Sequence, residues 1–459
     1  MEAMTGLDTR FLYSETSTVH MHTLKIVVID VVGRADALTP EMFLALLEER
    51  LDRMPALRRR AVAIPYRLGH PVWIDDPDFD LAQHITWCRA PEPGGVRELS
   101  TIAARTVEIP LERGRPLWDM TVVEGLEGGR VAVVMKMHHA LADGGSAVAM
   151  LQNAFVTDPE QAVVQPYRPE PEPARRELLR LAGRARAHQV RELPTLGRRT
   201  VAGMKAARTA SREVGGTPAA PFSGPRTSVN VSLTAERTFA MTALPLPDLL
   251  AIRTATGTTL NGVFLGLCAG ALRRYFEGRG ELPDKPVVTG VPVGTQRGRP
   301  HLSGNHVDNM YVPLPTDVSD PLERLRSVHE AASKARRIRE AMGHELLERR
   351  AAMTPLNLYS PVIGLWARTH LSDRVRPPIN LVASNVAGPR EPLEAGGGVI
   401  SALYSVGPIL EGIGLNVTAW SYVDALNVAV LGCPASVPDP WALTTAMQTE
   451  LDDLRTRVL

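Results

Sequence analysis

The sequence predicts an α/β protein with two domains, each built from a mixed β-sheet with helices. Three observations lead to this prediction. With 459 residues the chain is too long for one ordinary compact domain. Hydrophobic residues make up 44% and charged residues 22% of it, so each half can bury a core. Segments with strand and helix patterns alternate irregularly in both halves.

The first domain is predicted over residues 1–160. An apolar, β-branched run at 22–32 indicates a buried strand. Thr39 can cap an amphipathic helix at 39–51, because it precedes a proline and an apolar pattern with helical spacing. The remaining elements, a helix, two paired strands and another helix, are predicted at 97–108, 120–124, 130–137 and 145–155.

A linker is predicted over residues 161–231 and a second domain over 232–459. Four prolines between 166 and 173 break regular structure. After them the linker is partly helical and rich in arginine with interleaved leucines. The strands and helices of the second domain are expected at 237–244, 247–254, 260–275, 286–293, 321–342, 380–386, 400–406, 414–422, 425–431 and 440–457.

Composition narrows the classes of function. A net charge of +1 provides no global field that would recruit nucleic acid. Three distant cysteines, Cys88, Cys268 and Cys433, argue against a disulfide framework or a structural zinc site and fit a reducing compartment. We find no secretory pattern at the N-terminus and no apolar run of about 18 residues. We therefore expect a cytoplasmic protein. If it works on lipids, it should reach them from the inner face of the membrane or from the surface of lipid droplets.

The stretch 135–144 carries the chemistry, because it places polar residues at the end of an apolar strand. It contains His138, His139, Asp143 and Gly144. Since strand side chains alternate, the two histidines should point to opposite sides. Asp143 can cap the following helix or hold a neighbouring side chain. Gly144 permits a close approach of the backbone.

His139 is the candidate general base. A histidine can accept a proton near neutral pH, and a positioned base accelerates attack of an alcohol on a carbonyl by about 10²- to 10⁴-fold. A bare histidine pair is also typical of core packing. A metal site is disfavoured, because adjacent strand histidines diverge and no second ligand cluster is evident. No serine elbow, phosphate-binding loop or dinucleotide fingerprint occurs, so the reaction is expected to proceed without a serine ester or a nucleotide.

The His-His, three residues, Asp-Gly pattern resembles the motif of the wax ester synthase/acyl-CoA:diacylglycerol acyltransferase family, within the CoA-dependent acyltransferase superfamily. The resemblance covers effectively the whole chain outside the linker. It implies two chloramphenicol acetyltransferase-like domains with the active site at their interface. The other matching segments are residues 7–22, Pro116-Leu117-Trp118, Thr259-Leu260-Asn261, residues 384–389 and Ser421-Tyr422.

The resemblance also implies roles for individual residues. His139 matches the catalytic base, His138 the supporting histidine and Asp143 the aspartate that orients the site. Gly144 matches the glycine that leaves room for the CoA arm. Asn261 matches the residue that hydrogen-bonds the thioester carbonyl, a sensible role for an amide beside a developing oxyanion.

The candidate substrate contacts are Pro116, Leu117 and Trp118, together with Ser384 and Asn385 of a loop that should line the interdomain cleft. For the first three residues, packing is the alternative interpretation. For Asn261 the alternative is a structural role, in which it caps a helix or bridges two helices.

Two departures from the family pattern bear on activity and substrate more than on fold. Gly262 stands where the family has an aspartate after Asn261. The family's arginine after its Pro-Val-Ser segment is displaced by one residue, to Arg297.

The implied function is transfer of a long-chain acyl group from acyl-CoA to diacylglycerol or a fatty alcohol, giving triacylglycerol or wax ester. Acyl-CoA is a co-substrate, and no cofactor is expected. The alternatives are a condensation-type acyltransferase that uses carrier-bound acyl groups and an inactive lipid-binding protein. The basic linker is either a solvated face or an interfacial helix for anionic lipid. RNA is disfavoured, because stacking aromatic residues are absent there.

Overall fold

The computed structural model describes residues 1–31, 39–155, 162–294, 302–343, 353, 356–395 and 397–459, without the side chains of 356–358. The helices are α1 (Gly6–Tyr13), α2 (Pro40–Arg50), α3 (Val96–Glu108), α4 (Gly144–Phe155), α5 (Arg175–Glu213), α6 (Leu246–Thr256), α7 (Leu260–Gly278), α8 (Pro321–Met342), α9 (Leu356–Arg368) and α10 (Pro440–Val458).

The strands form two large sheets and one small sheet. They are β1 (Glu2–Ala3), β2 (His22–Asp30), β3 (Arg59–Val62), β4 (Val72–Asp75), β5 (Ile85–Arg89), β6 (Trp118–Glu124), β7 (Val131–His138), β8 (Thr238–Pro245), β9 (Val287–Gly294), β10 (Val307–Leu314), β11 (Leu381–Val386), β12 (Glu394–Ala395), β13 (Gly398–Val406), β14 (Asn416–Tyr422) and β15 (Ala425–Gly432).

The first six-stranded sheet has the order β12-β13-β2-β7-β6-β5. The β5–β6 pair is parallel and the other pairs are antiparallel, so the sheet is mixed as predicted. The predicted first-half strands and helices are confirmed to within about two residues. Thr39 begins α2 as predicted, since its side chain accepts a hydrogen bond from the Met42 N–H at 3.2 Å.

The second six-stranded sheet has the order β10-β9-β11-β14-β15-β8. Strand β11 is parallel to both of its neighbours, which makes this sheet mixed as well. The predicted elements of the second half are confirmed, including the apolar helix α7, most of which is buried. The small sheet, in the order β1-β4-β3, was not predicted.

The first large sheet contains strands from both predicted domains. Strands β12 and β13 come late in the sequence, yet they extend the first sheet, and β13 pairs with β2. The 160/161 boundary lies outside the described residues. The predicted boundaries 1–160, 161–231 and 232–459 therefore stay a prediction. Two strands from the predicted second domain nevertheless belong to the first sheet.

The basic linker contains one 39-residue helix, α5, which continues through Pro194. Near its start, Leu178 and Ala182 are buried against residues of β3 and β4. Near its end, Gly203 and Ala207 are buried where α5 packs beside α8. Helix α5 therefore packs against both halves of the protein.

An apolar cluster joins the halves. Leu99 and Val107 of α3 pack with Phe239 and Met241 of β8 and with Leu431 of β15. In the described residues no single helix is long and apolar enough to cross a membrane. Helices α6 and α7 meet that criterion together, with a bend of 102° between them.

Candidate active site

Strand β7 delivers the two histidines to the junction of the halves. Met135 and Met137 face the side covered by α2 and α4, where they line a cavity. Lys136 points to the opposite side and donates to the Ile109 carbonyl at 2.9 Å. The strand ends at His138, whose N–H donates to the Leu117 carbonyl at 2.9 Å. His139 therefore begins the loop to α4.

His138 is fixed as a neutral, buried imidazole. Burial, followed by the charge of Arg113, lowers the pKa of His138 well below its usual range. Its Nδ1 accepts the Ala140 N–H at 3.0 Å, so the proton of the neutral ring is on Nε2. That Nε2 lies 3.0 Å from Glu15 Oε1. These contacts shape the turn that presents His139, which agrees with a supporting position.

His139 has different surroundings. Its ring stacks on Phe11 with centroids 4.0 Å apart and planes 8° apart. Its N–H donates to the Met21 carbonyl at 2.9 Å. Its carbonyl accepts from Asn305 Nδ2 at 2.7 Å. The residue is partly exposed, and its Nδ1 is buried.

The electrostatics keep His139 uncharged near neutral pH. Burial is the main cause of its lowered pKa, and the positive charge of Lys25 contributes in the same direction. A hydrogen bond with its own backbone, the charge of Asp143 and the Asn305 side chain oppose the shift. A neutral imidazole with one free nitrogen can accept a proton from an alcohol.

Asp143 joins the motif to the second half. Its Oδ1 accepts the Ser146 N–H at 2.8 Å, so the predicted helix cap is confirmed. Its Oδ2 accepts the His306 N–H at 2.7 Å. The buried carboxylate thus holds a backbone group from the second half of the chain.

Residues 304–306, which we call the clamp segment, dock onto the His139 loop. The Gly304 N–H donates to the Leu141 carbonyl at 2.7 Å, and the Gly304 carbonyl accepts from the Asp143 N–H at 3.2 Å. Gly304 has a φ of +78°, which favours glycine. This segment was not predicted from the sequence. Its Gly-Asn pair signalled a turn, but nothing local named the partner of that turn.

Asn305 and Asp8 support His139 from behind. Asp8 Oδ1 accepts from both the N–H and Nδ2 of Asn305, each at 2.8 Å. Thr5 Oγ1 donates to Asp8 Oδ2 at 2.7 Å. Burial raises the pKa of Asp8, and these hydrogen bonds oppose the shift. Helix α1 therefore contributes Asp8 and Phe11 to the site, and the sequence analysis assigned a role to neither.

The Pro116-Leu117-Trp118 segment lies in the first core. Leu117 and Trp118 are fully buried. Trp118 Nε1 donates to the Leu57 carbonyl at 2.6 Å, and His84 stacks on the indole at 4.3 Å. The geometry gives these residues a packing role next to His138. Substrate contact by Pro116, Leu117 and Trp118 stays a prediction.

The end of β11 approaches Gly144. A Cβ at Gly144 would lie 3.1 Å from Val386 Cγ2, so a larger residue would press on this strand. Ser384 and Asn385 are half-buried on the same strand end. The structure therefore brings the two predicted segments together. Room for a CoA arm at Gly144 and substrate contact at Ser384 and Asn385 stay predictions.

Asn261 lies in the first turn of α7, where Thr259 Oγ1 caps the helix by accepting the Gly262 N–H at 3.0 Å. A Cβ at Gly262 would lie 3.0 Å from His329 Nδ1, so an aspartate here would displace that ring. The oxyanion role of Asn261 stays a prediction. Arg297 is outside the described residues.

An apolar cavity of about 100 Å³ runs beside the motif, between the first sheet, α2 and α4. Trp420 and Ala395 close it from later in the chain. Within the described residues its charged lining residues are Lys25 and Arg50. The lining is Lys25, Val27, Ile29, Phe43, Leu46, Leu47, Arg50, Met54, Met120, Val133, Met135, Met137, Ala147, Met150, Leu151, Ala154, Phe155, Ala395 and Trp420.

Comparison with solved structures identifies the fold. A wax ester synthase/diacylglycerol acyltransferase from Marinobacter aquaeolei VT8 matches with a TM-score of 0.69 and 25% identity, covering 100% of both chains. The first condensation domain of a calcium-dependent antibiotic synthetase matches with a TM-score of 0.59 and 16% identity, over 99% of this chain and 96% of that one. The predicted chloramphenicol acetyltransferase-like fold is confirmed, and it defines the class as an acyltransferase.

Sequence comparison gives the particular family. The wax ester synthase/diacylglycerol acyltransferase catalytic domain matches residues 4–264, and the WS/DGAT C-terminal domain matches residues 303–455. Two Mycobacterium tuberculosis proteins named as diacylglycerol O-acyltransferases are 37% and 33% identical, over 99% of this chain and 96% and 97% of theirs. The chain belongs to the wax ester synthase/diacylglycerol acyltransferase family, which confirms the predicted family and enzyme class.

Proposed function

We propose that this enzyme transfers a long-chain acyl group from acyl-CoA to the hydroxyl of diacylglycerol or a fatty alcohol. The observation that carries the proposal is the position of His139. Its ring lies at the junction of the two halves, where Asn305 of the second half binds its carbonyl, and the residue is partly exposed with Nδ1 buried. An apolar cavity begins at residues on either side of the same loop, Met137 and Ala147.

In the proposed reaction His139 Nε2 removes the hydroxyl proton as the alcohol oxygen attacks the thioester carbonyl carbon. The carbonyl π pair moves to oxygen and forms a tetrahedral intermediate. When the oxyanion pair returns, the C–S bond breaks and CoA leaves as a thiolate. The imidazolium returns the proton to that sulfur, so His139 ends neutral. A lowered histidine pKa favours the neutral form that starts this cycle.

The oxyanion needs preorganised donors. The proposed donors are Asn261 or backbone N–H groups of the crevice. The clamp segment has a different role, because its hydrogen bonds hold the His139 carbonyl and the Asp143 carboxylate. We therefore assign it to positioning the base.

The cavity suits an alkyl chain. Its lining is almost entirely apolar, and burial of a methylene contributes about 0.8 kcal/mol. Such a surface binds a long chain tightly but discriminates poorly between lengths that differ by one methylene. A broad chain-length range is therefore part of the proposal.

A panel of donors and acceptors tests the proposal. Palmitoyl-CoA is mixed in turn with dipalmitoylglycerol, hexadecanol and a short polar alcohol, and CoA thiol release is measured while the ester is identified by mass. We expect release with the two lipids and the matching ester. Palmitoyl-acyl carrier protein as the better donor would favour the condensation-type alternative. Lipid binding without thiol release from any pair would contradict an active transferase.

We also propose that α5 holds the enzyme on an anionic membrane or droplet surface. Five exposed cations recur every seven residues along it: Arg184, Arg191, Arg198, Lys205 and Arg212. An exposed apolar row lies beside them: Val190, Leu193, Val201 and Met204. Seven-residue spacing keeps the cations on one helix face, and spacings of three, eight and three residues keep the apolar residues on an adjacent face. Each cation near an anionic surface contributes about 1 kcal/mol.

Vesicle flotation tests this membrane contact. Binding is expected with phosphatidylglycerol vesicles and much less with phosphatidylcholine vesicles. The Arg191→Glu/Arg198→Glu double variant should lose it. The matched control reverses Arg89 and Arg390, which are also exposed but lie elsewhere. Equal binding to both vesicle types, or equal loss in the control, would contradict the contact.

A further inference from the structure

We propose that Lys25 makes the acceptor site selective for an alcohol with an ester carbonyl close to its hydroxyl, as in diacylglycerol, over an alcohol that has none. The inference rests on the proposed function, because it takes the cavity beside His139 as the acceptor site. It concerns a lysine to which neither motif nor spacing assigned a role.

Lys25 lies in the middle of β2, in the wall of the apolar cavity. It is directly opposite Met135 of β7 and Ser405 of β13. Its Nζ donates to Ser405 Oγ at 2.7 Å. In the same register His22 pairs with His138. Lys25 is three residues further along, which is roughly 10 Å at about 3.4 Å per residue.

The ammonium lies within electrostatic range of the motif. Its charge lowers the pKa of His139, and the charge of Asp143 raises that of Lys25. Burial is nevertheless the dominant effect on Lys25 and lowers its pKa to about 8, so the side chain is largely charged at neutral pH. Lys25 therefore places a positive charge in the cavity wall, opposite Met135 and three residues along the paired strand from His138.

A cation at this place is costly when a plain alkyl chain fills the cavity. Within the described residues Lys25 forms no ion pair, and its hydrogen-bond partner is the neutral hydroxyl of Ser405. An ammonium carries three N–H donors, so two remain for water or ligand. A methylene chain displaces that water and returns no acceptor, which leaves buried donors unpaired.

An ester carbonyl oxygen provides the hydrogen-bond acceptor that the Lys25 ammonium lacks beside an alkyl chain. In diacylglycerol, ester groups lie within a few bonds of the free hydroxyl, so one carbonyl can accept from Lys25 while the hydroxyl reaches His139. A fatty alcohol offers methylenes at the same distance. A site built to hydrogen-bond a substrate group rejects an analogue without it more strongly than an apolar pocket discriminates by size.

The test isolates the carbonyl from the chains. Dipalmitoylglycerol is compared with dihexadecylglycerol, its dialkyl ether, which keeps the hydroxyl and chains but lacks carbonyl oxygens. With palmitoyl-CoA as donor, we expect wild-type kcat/KM to favour the ester by about 10- to 100-fold, since a hydrogen bond to a charged group is at stake. In Lys25→Met, an apolar side chain of similar length, the ratio should fall close to one.

Two further variants complete the design. Ser405→Ala removes the partner of Lys25 and should lower the ester-to-ether ratio partly, which keeps the test decisive if Lys25→Met does not fold. Lys285→Met, at an exposed lysine, should leave the ratio unchanged. A wild-type ratio near one, or a ratio preserved in both Lys25→Met and Ser405→Ala, overturns the inference alone. Failure of the wild type to acylate any alcohol overturns the proposed function with it.

Discussion

The two large sheets have the same size and the same mixed pairing, yet their interiors differ. Strand β7 of the first sheet carries buried Lys136 and His138 among its apolar residues. Strand β15 of the second sheet buries Leu426, Val428 and Val430 completely and belongs to a large apolar cluster around α7. The inner face of the first sheet has titratable side chains beside a cavity, while a large apolar cluster fills the space between the second sheet and α7.

We infer from this difference that the first half provides the reactive groups and the second half supports them structurally. Empty space lowers stability, and the apolar cavity beside the motif lies against the first sheet. The second half has a large apolar core around α7. Its clamp segment forms hydrogen bonds with the His139 loop. If this division holds, substitutions in the first half should affect chemistry, and substitutions in the second half should affect stability or positioning.

The largest effect on chemistry is expected from His139→Ala. Loss of the base should lower kcat for palmitoyl transfer by about 10²- to 10⁴-fold, with little change in thermal stability. Thiol release and calorimetry measure the two quantities. His188→Ala, at an exposed histidine of α5, is the matched control. A folded His139→Ala protein that works at the wild-type rate would remove the base from the mechanism.

A pair of leucine substitutions compares the two interiors directly. Leu265→Ala in α7, where the side chain is fully buried, should lower the free energy of unfolding by about 2–5 kcal/mol. Leu151→Ala, which enlarges a cavity that already exists, should cost less than about 2 kcal/mol. Urea unfolding measures both, and equal losses would contradict the contrast in packing.

Asn305→Ala tests support across the junction. It removes hydrogen bonds to the His139 carbonyl and to Asp8, so we expect kcat to fall about 10- to 100-fold while KM changes little. Asn309→Ala, at an exposed site on β10, is the control. A change in KM alone would place Asn305 in substrate binding instead.

The smallest effect concerns pH and stability. Burial lowers the pKa of His22 to about 3, so between this value and about 6.5 the unfolded chain binds a proton that the native state does not. Stability is therefore complete above pH 6.5 and falls as the pH is lowered. At pH 5 the loss from one such histidine is about 2 kcal/mol.

His22→Asn provides the check, because its amide can still donate to the Val107 carbonyl, 3.0 Å from His22 Nδ1. Urea unfolding at pH 7 and pH 5 should show a smaller acid loss in the variant than in the wild type. An identical loss in both proteins would assign the acid sensitivity to other groups.

Local signals in the sequence were sufficient for most elements of the fold. Asp320 before Pro321, and Asp439 before Pro440, cap α8 and α10, because a cap and a first-turn proline act within a few residues. The His139 loop was also predicted, since strand end, aspartate cap and glycine are consecutive in the chain.

Contacts between distant residues were not accessible in this way. Asn305 is 166 residues from His139, and Asp8 is 297 residues from Asn305. Each of these residues is ordinary in its local context, so its partner emerges only from the fold. Lys25 was hidden for a different reason, because a single lysine does not disturb the apolar pattern that predicts β2.

The pairing of β13, a late strand in the sequence, with β2 of the first sheet limits how far the two halves can separate. A hinge movement that parted the two halves would have to strip β13 from β2 along a ladder from Val399 to Val406. Such a rupture costs far more than the rearrangement of a few side chains. Lipid and thioester should therefore reach the crevice by local side-chain and loop displacements, and heating should melt both halves in one cooperative transition.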